Sequence, residues 1–442
     1  MYTKRLGVRA LEICGLALLL VSQGWPQQPM SSLDRDRAQD MLKVVADEVQ
    51  KHYYDAKMHG IDWDAKVAEA KQKIDKTNSM NMALSEIAVV LASLNDSHTF
   101  FLPPQHANRY DYGWEYQMVG EHCLVTRVRP KSDAEAKGVK PGDEILTLDG
   151  YHPDRDNLWK MQYVFTALRP QPGFRLRLQD PSGNQRQVDV LARIREGKRV
   201  TDLTGSAVSD IWDVVRQGEN EEHLLRARYA ERGDQLIVVK VPEFIFSITE
   251  TDSMIDKVRK YPAMIMDLRG NPGGSVETLK NLISGMFDKE VKIADRVGRK
   301  ETKPEVAKAA RHPFSGKLVV LVDSRSASAA ELFARVVQLE RRGLVVGDRT
   351  SGRVMEARHY NETLGLDTVI FYGASVTEWD LIMADGKSLE HNGVTPDEIV
   401  LPTAKDLASG SDPVMARAAE TLGVKLSPEE AGKLFPYEWP PE

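Results

Sequence analysis

The sequence predicts an α/β protein with a helical N-terminal part and a strand-rich insertion, and three observations support this prediction. Apolar runs of strand length alternate with helical patterns from residue 235 onward, which is typical of a largely parallel sheet. Alternating apolar residues and turn signals fill residues 112–196. Amphipathic helical patterns fill residues 33–104.

The composition of the chain limits its class. It has 442 residues, of which 42% are hydrophobic and 28% are charged. At about 150 residues per domain this length allows about three domains, and the composition excludes a membrane bundle and a disordered chain. Lys and Arg number 59 against 65 Asp and Glu, which gives a net charge of −6. No long basic run occurs, so nucleic acid is not expected as a partner.

Residues 1–24 predict a cleaved secretory signal peptide. A basic start precedes nine apolar residues at 13–21 and a small-residue site before Trp25. An uncleaved anchor and a buried helix are the alternatives, although crossing a bilayer takes about 20 apolar residues. We therefore expect an exported protein, periplasmic or secreted, with no stable membrane span after cleavage. Cys123 is then the remaining cysteine, and we expect it to be a small buried side chain.

The helical region at 33–104 ends in a polar loop, Asn-Asp-Ser-His-Thr at 95–99, before prolines stop any helix. In the next region the motifs Val-Arg-Pro-Lys-Ser-Asp-Ala, Gly-Val-Lys-Pro-Gly-Asp and Ile-Leu-Thr-Leu-Asp-Gly, within 128–150, resemble a PDZ domain. This resemblance implies capture of an extended peptide at a sheet edge. Tyr-Gly-Trp-Glu-Tyr at 112–116 stands where such domains have a Gly-rich loop, so a purely structural or regulatory module is the alternative.

The second half of the chain predicts a connector at 197–234, an α/β core at 235–403 and a polar C-terminal tail at 404–442. Core strands are expected at 236–241, 264–268, 318–322 and 344–347, and helices at 247–260, 276–288 and 328–341. In the tail, Met415, Ala418 and Leu422 indicate one docked helix.

The junction after the third core strand is the most informative for chemistry. It reads Asp-Ser-Arg-Ser-Ala-Ser-Ala-Ala-Glu from position 323 and leads into a helix. A serine there lies near the backbone N–H groups and the dipole of a helix N-terminus, which stabilise developing negative charge. Serine is also a favoured N-cap, so Ser324, Ser326 or Ser328 alone fits a structural role equally well.

A glycine-rich run, Asp-Leu-Arg-Gly-Asn-Pro-Gly-Gly at 267–274, lies between another core strand and its helix. Glycines there let the backbone approach a substrate closely. The spacing fits neither of the phosphate-binding glycine motifs, and a tight turn is the plain alternative. The sequence has no His-Glu-x-x-His motif and no cysteine cluster, so neither a metal nor another cofactor is expected.

Four motifs occur in order along the core: the run at 267–274, Ser-Ala-Ser-Ala-Ala-Glu from 326, Val-Gly-Asp-Arg-Thr-Ser-Gly from 346, and Glu-His-Asn-Gly-Val-Thr-Pro-Asp from 390. Together they resemble the C-terminal processing (tail-specific) serine peptidase family, over about residues 85–400. The resemblance implies a crotonase-like α/β catalytic core with the PDZ-like region inserted. It also implies cleavage of peptide bonds in polypeptides, often near C-termini.

The resemblance implies roles for single residues. Ser328 matches the family's nucleophile, and the N–H groups of Ala329 and Gly273 match its oxyanion hole, with Gly274 as the next candidate. The best-known branch of the family places a lysine general base where this sequence has Arg353. Because arginine stays protonated, a Ser–Lys pair is excluded at this position.

A tricorn-like branch of the family offers a different base. Ser97 and His98 match its Ser–His pair, and Glu390 matches its late glutamate. The resemblance therefore implies that His98 is the general base and that Ser97 and Glu390 orient it. A capping or loop histidine is the plain alternative for His98.

Arg353 is then expected to bind substrate, for example through a carboxylate. Pairing with Glu331 or Glu390 and a surface salt bridge are the alternatives. The sequence as a whole predicts an exported serine endopeptidase that acts on polypeptides through an acyl-enzyme. A catalytically inactive peptide- or ligand-binding protein with the same fold is the main alternative. A crotonase-type acyl-CoA enzyme is disfavoured by export, and homo-oligomerisation stays open.

Overall fold

The computed structural model describes residues 30–106, 108–196, 224–365 and 369–439 of the chain. The predicted signal peptide and most of the predicted connector lie outside the described residues. Within the described ranges, no helix is both long and apolar enough to cross a membrane.

The helices of the described part, in chain order, are α1 Ser32–His52, α2 Trp63–Lys76, α3 Met80–Ala92, α4 Asp133–Ala136, α5 Leu158–Gln162, α6 Ile248–Val258, α7 Val276–Ser284, α8 Ala329–Leu339, α9 Ala404–Ser409, α10 Pro413–Thr421 and α11 Pro428–Ala431. A short 3-10 turn at Met58–Gly60 follows α1, and a π-helical turn at Tyr163–Leu168 continues α5.

The strands are β1 Phe100–Leu102, β2 Asn108–Asp111, β3 Trp114–Val119, β4 His122–Val128, β5 Glu144–Leu148, β6 Gly173–Gln179, β7 Gln185–Leu191, β8 Arg193–Glu196, β9 Arg228–Arg232, β10 Leu236–Lys240, β11 Ala263–Asp267, β12 Val291–Gly298, β13 Thr302–Ala307, β14 Lys317–Val322, β15 Leu344–Gly347, β16 Met355–Leu364, β17 Ile370–Met383 and β18 Glu398–Ile399. They form four sheets.

Helices α1 to α3 form the predicted helical region and pack on a strand from far along the chain. Met41 and Ile87 are buried in the same apolar cluster as Ala374 and Val376 of β17. Strand β1 also pairs antiparallel with β17, with Phe101 opposite Ala374. The helical region therefore shares its core with the second half of the chain, and the loop at 95–99 is held against it.

The middle of the chain forms the predicted strand-rich region with two helices. Its sheet has the order β3-β4-β5-β6-β7, is antiparallel throughout and leaves β3 at one edge. Val125, Ile145 and Leu176 are fully or almost fully buried between the sheet and its helices. Strands β2 and β8 pair antiparallel, so the chain enters and leaves this region at one place, as an insertion does.

The core sheet has the order β18-β15-β14-β11-β10-β9, and all its neighbours except β9 and β10 are parallel. Strand β9 lies inside the segment that we predicted as a connector, so that prediction is wrong for residues 228–232. Ala230 pairs with Val238 there. The charged residues of β9 are compatible with an edge strand, because an edge exposes one side to solvent.

Alternate residues of the core strands face two different layers. Val320 and Val322 lie in the cluster that includes Leu279 of α7 and Phe333 of α8. Val319 lies on the opposite face, in a cluster with residues of the C-terminal segment. Since side chains of a strand alternate between faces, this continuously apolar strand must be covered on both sides.

The C-terminal segment supplies that second layer and is not a polar tail as predicted. Helix α10 buries Val414, Met415, Ala418 and Ala419 against the sheet. The expected docked helix is therefore present, and α9 and α11 flank it. The apolar residues of α10 recur at helical spacing within an otherwise polar segment, which explains why one helix was predictable and the whole layer was not.

We predict that Met415→Ala lowers the melting temperature by about 4 °C or more, because it removes a buried side chain from the contact between α10 and the sheet. Differential scanning calorimetry measures the change. Arg417→Ala is the matched control on the same helix, since it removes an exposed ion pair with Glu398 and should change the melting temperature little. Equal shifts in the two variants would show that α10 does not stabilise the core.

Candidate active site

Ser328 lies at the N-terminus of α8, just after the loop that follows β14. Its φ of 53° is in the left-handed region, which is uncommon for a residue with a side chain. The Ser328 N–H donates to Glu331 Oε2 at 3.0 Å and to the carbonyl of Arg353 at 2.9 Å. These two acceptors hold the strained backbone and place the serine side chain at the helix N-terminus.

The other two serines of this loop have structural partners. The Ser326 hydroxyl donates to the carbonyl of Leu268 at 2.8 Å, and the Ser324 hydroxyl donates to the carbonyl of Met118. Among the described residues, the Ser328 hydroxyl has no such partner. The structure thus separates the three candidate serines, and Ser328 alone keeps its hydroxyl unoccupied.

Glu331 is a site residue that we did not assign a role from the sequence. It is fully buried and accepts hydrogen bonds from Ser328 N, Gly352 N at 2.8 Å, Arg353 N at 3.0 Å and the Thr350 hydroxyl. Burial raises the pKa of this carboxyl to about 7, although these donors oppose the rise. The spacing Ser-x-x-Glu at 328–331, typical of a helix capping box, was the signal that could have revealed it.

The glycine-rich run at 267–274 is held by buried charges. Asp267 lies at the end of β11, accepts from Arg269 at 2.9 Å and forms an ion pair with Lys240 at 3.3 Å. Burial alone would raise the pKa of Asp267, but Arg269 and Lys240 reverse that effect and hold it well below its usual range. Arg269 also binds Asp412, the N-cap of α10, at 2.7 Å. The run is therefore tied both to the sheet and to the C-terminal helices.

Gly273 lies directly against Ser328. A Cβ atom on Gly273 would be 2.6 Å from Ser328 Cβ and 3.0 Å from Ala329 N, closer than side-chain atoms can approach. The φ of Gly273 is 103°. Both this backbone conformation and the lack of space for a Cβ atom therefore require glycine here. The predicted proximity of the glycine-rich run and the serine loop is thus present.

The backbone N–H groups near Ser328 differ in whether they already donate to an acceptor. The Gly273 N–H, our predicted oxyanion donor, already donates to Asn271 Oδ1 at 2.8 Å. In the part of the chain that the structure describes, the N–H groups of Ala329 and Gly274 have no acceptor. Gly274 rather than Gly273 thus has the free N–H in this conformation, and the oxyanion role of either glycine stays a prediction. The sequence could not show it, because the competing acceptor is a side chain whose direction depends on the folded loop.

His98 lies in the loop between α3 and β1. The carboxylate of Asp96 accepts from His98 N and Thr99 N, both at 2.8 Å, and from the Thr377 hydroxyl of β17 at 2.8 Å. Asp96 is almost fully buried. The loop is therefore pinned to the long hairpin of the second half of the chain.

Ser97, His98 and Glu390 are joined by hydrogen bonds. The Ser97 hydroxyl donates to Glu390 Oε2 at 2.9 Å, and His98 Nδ1 lies 2.8 Å from the same hydroxyl oxygen. Since a serine hydroxyl has one hydrogen, His98 Nδ1 must be the donor in the second bond. The remaining ring nitrogen, Nε2, then carries a lone pair, and among the described residues it has no partner.

The two halves of the site meet at one stretch of backbone. The carbonyl of Arg353 accepts the Ser328 N–H, and the N–H of Val354 donates to Glu390 Oε2 at 2.8 Å. Adjacent residues thus bind the backbone of Ser328 and the carboxylate that holds Ser97, the neighbour of His98. Within the described residues no hydrogen bond joins the Ser328 hydroxyl to His98 Nε2.

His98 is a weak base in this environment. Burial and, after it, the positive charge of Arg353 lower the pKa of its imidazole to about 4, while Asp96 opposes both effects. The ring is therefore neutral at any pH near 7. Burial raises the pKa of Glu390, although its backbone N–H donors oppose this.

Arg353 has neither of the carboxylate partners that we considered. Among the described residues its side chain forms no ion pair and no hydrogen bond, and its Nε is buried without a partner. Its guanidinium lies over the ring of Trp159, 4.9 Å from the centroid. Burial lowers the pKa of Arg353, although Glu331 and Glu390 oppose this. The alternative of an ion pair with Glu331 or Glu390 is therefore not present, and the substrate-binding role of Arg353 stays a prediction.

A cavity of about 350 Å³ lies between the inserted region and the part of the core that holds His98 and Arg353. From the core it is lined by His98, Pro272, Ala327 and Arg353, and from the insertion by residues of β3 and α5 including Trp159. Beside the cavity, Gln117 of β3 donates a hydrogen bond to Asp323 of the core at 3.2 Å, so the insertion and the core are in direct contact there. The described residues contain no group of three potential metal ligands.

Residues 235–400 match the model of Peptidase family S41. These residues belong to peptidase family S41. They contain the serine loop, the glycine-rich run, Arg353 and Glu390, so the resemblance found in the sequence is confirmed. Ser97 and His98 lie outside the matched range, and their roles stay predictions.

Individual relatives extend this similarity. The chain is 24% identical over 421 residues to the tail-specific protease of Haemophilus influenzae, covering 83% of this chain and 56% of that protein. It is 20% identical over 342 residues to the carboxy-terminal processing protease CtpB of Bacillus subtilis, covering 74% and 62%. The chain thus spans about three fifths of the length of these relatives.

Solved structures show the same fold. Mature CPAF superposes with a TM-score of 0.63 at 18% identity, covering 85% of this chain and 95% of that one. The photosystem II D1 C-terminal processing protease gives a TM-score of 0.50 at 18% identity, covering 89% and 99%. The predicted α/β class with N-terminal helices and a strand-rich region is confirmed. The resemblance of the insertion to PDZ domains stays a prediction.

We predict that Arg353→Met raises the pKa of His98 above its value of about 4 but not fully to the usual 6.5. The direction follows because removing a nearby positive charge stabilises the imidazolium, while burial still disfavours it. NMR titration of the labelled histidine ring measures this. Arg358→Met removes an exposed arginine further along the same stretch and serves as the control with no shift expected. An unchanged or lower pKa in Arg353→Met would contradict the assigned electrostatic contact.

Proposed function

We propose that this protein is an exported serine peptidase that hydrolyses peptide bonds in polypeptides, with bonds near C-termini as the expected targets. The observation that supports this best is the hydrogen-bonded series Glu390–Ser97–His98, which leaves the lone pair of His98 Nε2 free. The same stretch of backbone that binds Glu390 also binds Ser328. This arrangement contains a nucleophile, a base and a group that orients the base.

In the first step the Ser328 hydroxyl attacks the substrate carbonyl carbon, and His98 Nε2 takes the hydroxyl proton. A neutral imidazole can accept this proton, and the low pKa of His98 keeps it neutral over a wide range of pH. The imidazolium that forms keeps its Nδ1 hydrogen bond to Ser97, and the Glu390 carboxylate stabilises the charge through Ser97. Arg353 repels the imidazolium, so its charge disfavours this step while it is unpaired.

The oxyanion of the tetrahedral intermediate needs N–H donors. Ala329, at the N-terminus of α8, has a free N–H beside Ser328 and benefits from the helix dipole. A second donor comes from the glycine-rich run, where Gly274 is unoccupied and Gly273 would first have to leave Asn271. His98 then gives its proton to the leaving amine, and water hydrolyses the acyl-enzyme by the reverse use of the same groups.

Two further features support the substrate and the location. The cavity at the site continues between β3 and α5 of the insertion, and β3 is an edge strand of its sheet, the kind of strand beside which extended peptides bind. The basic and apolar segment at the N-terminus supports export. The names of the relatives, which refer to C-terminal processing, support cleavage near the ends of polypeptides.

A catalytically inactive peptide-binding protein is the second candidate. Two observations favour it: among the described residues Ser328 and His98 are not hydrogen-bonded to each other, and the Gly273 N–H is occupied. Catalytic hydrogen bonds often tighten only when substrate binds, so these observations suit a resting enzyme as well.

We predict that Ser328→Ala and His98→Ala each reduce kcat/KM for an unstructured polypeptide by about a thousandfold or more, because nucleophile and base act as a unit. Hydrolysis is followed by mass spectrometry of the products. The control is Ser324→Ala, whose hydroxyl has a structural partner and whose loss should leave most of the activity.

A serine-reactive fluorophosphonate separates the two candidates. The peptidase proposal expects labelling of the natural protein and none of Ser328→Ala, with both proteins showing the same circular dichroism spectrum. Absence of labelling and of hydrolysis in the natural protein would favour the binding protein instead.

A further inference from the structure

We infer that Arg353 binds a substrate carboxylate next to the scissile bond, so that this site selects polypeptides with a negative charge close to the cleaved position. The inference rests on the proposed function for its catalytic part, and it adds the substrate class. The carboxylate is either the C-terminus of the chain or an Asp or Glu side chain, since both present the same group to a guanidinium.

The first argument is that Arg353 lacks a partner where its neighbours have one. Other arginines that line the cavity are paired: Arg155 with Asp348 at 2.6 Å, Arg325 with Glu115 at 3.4 Å and Arg349 with Glu121 at 4.0 Å. Within the described ranges Arg353 has no carboxylate within 4 Å. A partly buried guanidinium whose Nε has no partner is costly, so an anion from outside the chain would complete the site.

The second argument is the geometry of the guanidinium. Its plane is supported by the ring of Trp159, 4.9 Å away, which belongs to α5 of the insertion. Contact with an aromatic face leaves the N–H edge of a guanidinium free, and this edge matches the two oxygens of a carboxylate. Arg353 lines the cavity, and its Nε is buried without a partner. The donors therefore exist before any ligand arrives.

The third argument is position. The carbonyl of Arg353 accepts the N–H of Ser328, so the guanidinium belongs to a residue in direct contact with the proposed nucleophile. Arg353 also lines the same cavity as His98, the proposed base, and Ala327, the neighbour of Ser328, so a carboxylate bound there shares the cavity with the reacting groups. Lysine or a neutral residue at this position would not provide the same planar, permanently charged fork.

Binding of a carboxylate would also change the base. Arg353 lowers the pKa of His98, after burial, while Asp96 raises it and His359 lowers it slightly. An anion bound to Arg353 offsets the positive charge of Arg353. It does not change the hydrogen bond of His98 Nδ1 to Ser97, which in turn binds Glu390. A correct substrate would therefore make His98 a stronger base than it is in the empty site.

The experiment compares peptides of one sequence that differ in charge. The first peptide has a free C-terminal carboxylate, and the second has a C-terminal amide. The further peptides also have a C-terminal amide, and they carry either Glu or Gln at successive positions beyond the scissile bond. For the natural protein we expect kcat/KM about 10- to 100-fold higher for a peptide with a carboxylate than for its neutral partner. A preference for the free acid over the amide measures recognition of a C-terminal carboxylate. A preference for Glu over Gln measures recognition of an acidic side chain.

The variant Arg353→Met should bring the ratio between charged and neutral peptides close to one. The matched control Arg358→Met, which removes an exposed arginine five positions further on, should keep the ratio of the natural protein. A ratio near one in the natural protein, or an unchanged ratio in Arg353→Met, would overturn the inference. A structural effect of Arg353→Met would slow all peptides equally and leave the ratio intact.

A binding measurement keeps this test independent of catalysis. With Ser328→Ala, fluorescence polarisation gives the Kd of the labelled acid and amide peptides, and the same preference should appear and be lost when Arg353→Met is added. Equal Kd values for acid and amide peptides in Ser328→Ala refute carboxylate binding, whatever the activity. Preferential binding without hydrolysis by the natural protein refutes the peptidase proposal and leaves the carboxylate site standing.

Discussion

The carboxylate of Glu390 is the contact on which the arrangement of the site depends, because it joins segments 293 residues apart. One oxygen accepts the N–H of Ser97, and the other accepts the Ser97 hydroxyl and the N–H of Val354. A mostly buried carboxylate needs such donors, since burying an unpaired charge is costly. The bonds that stabilise this charge are therefore the same bonds that bring the histidine loop to the core.

Glu331 is a second buried carboxylate that holds the backbone of the site through hydrogen bonds. It accepts the N–H of Arg353, while Glu390 accepts the N–H of the next residue, Val354. Two buried carboxylates thus hold adjacent amides; Glu331 also binds the N–H of Ser328, and Glu390 also binds Ser97, the hydrogen-bond partner of His98. Both carboxylates are satisfied by backbone N–H groups and hydroxyls, which leaves the side chain of Arg353 without an internal anion. The unpaired guanidinium is a consequence of how the backbone of the site is held.

Much of the fold followed from local patterns. The core strands and helices α6, α7 and α8 lie where apolar runs and helical periodicity indicated, because these patterns reflect hydrogen bonding and burial within a few residues. The errors arose where partners are distant. Strand β9 was read as a connector because its charged residues become a strand only beside β10, and the C-terminal layer looked like a polar tail because only α10 carries a strong apolar face.

By itself, the sequence determined the α/β class, the family motifs and the candidates Ser328, His98, Ser97 and Glu390, since residue type and order along the chain contain that information. Only the tertiary structure decided which donors and charges are already occupied. Asn271 takes the N–H of Gly273, and neither Glu331 nor Glu390 pairs with the side chain of Arg353. The physical reason is that each polar group has few hydrogen-bonding sites, and which neighbour fills them depends on distances that exist only after the distant segments have packed together.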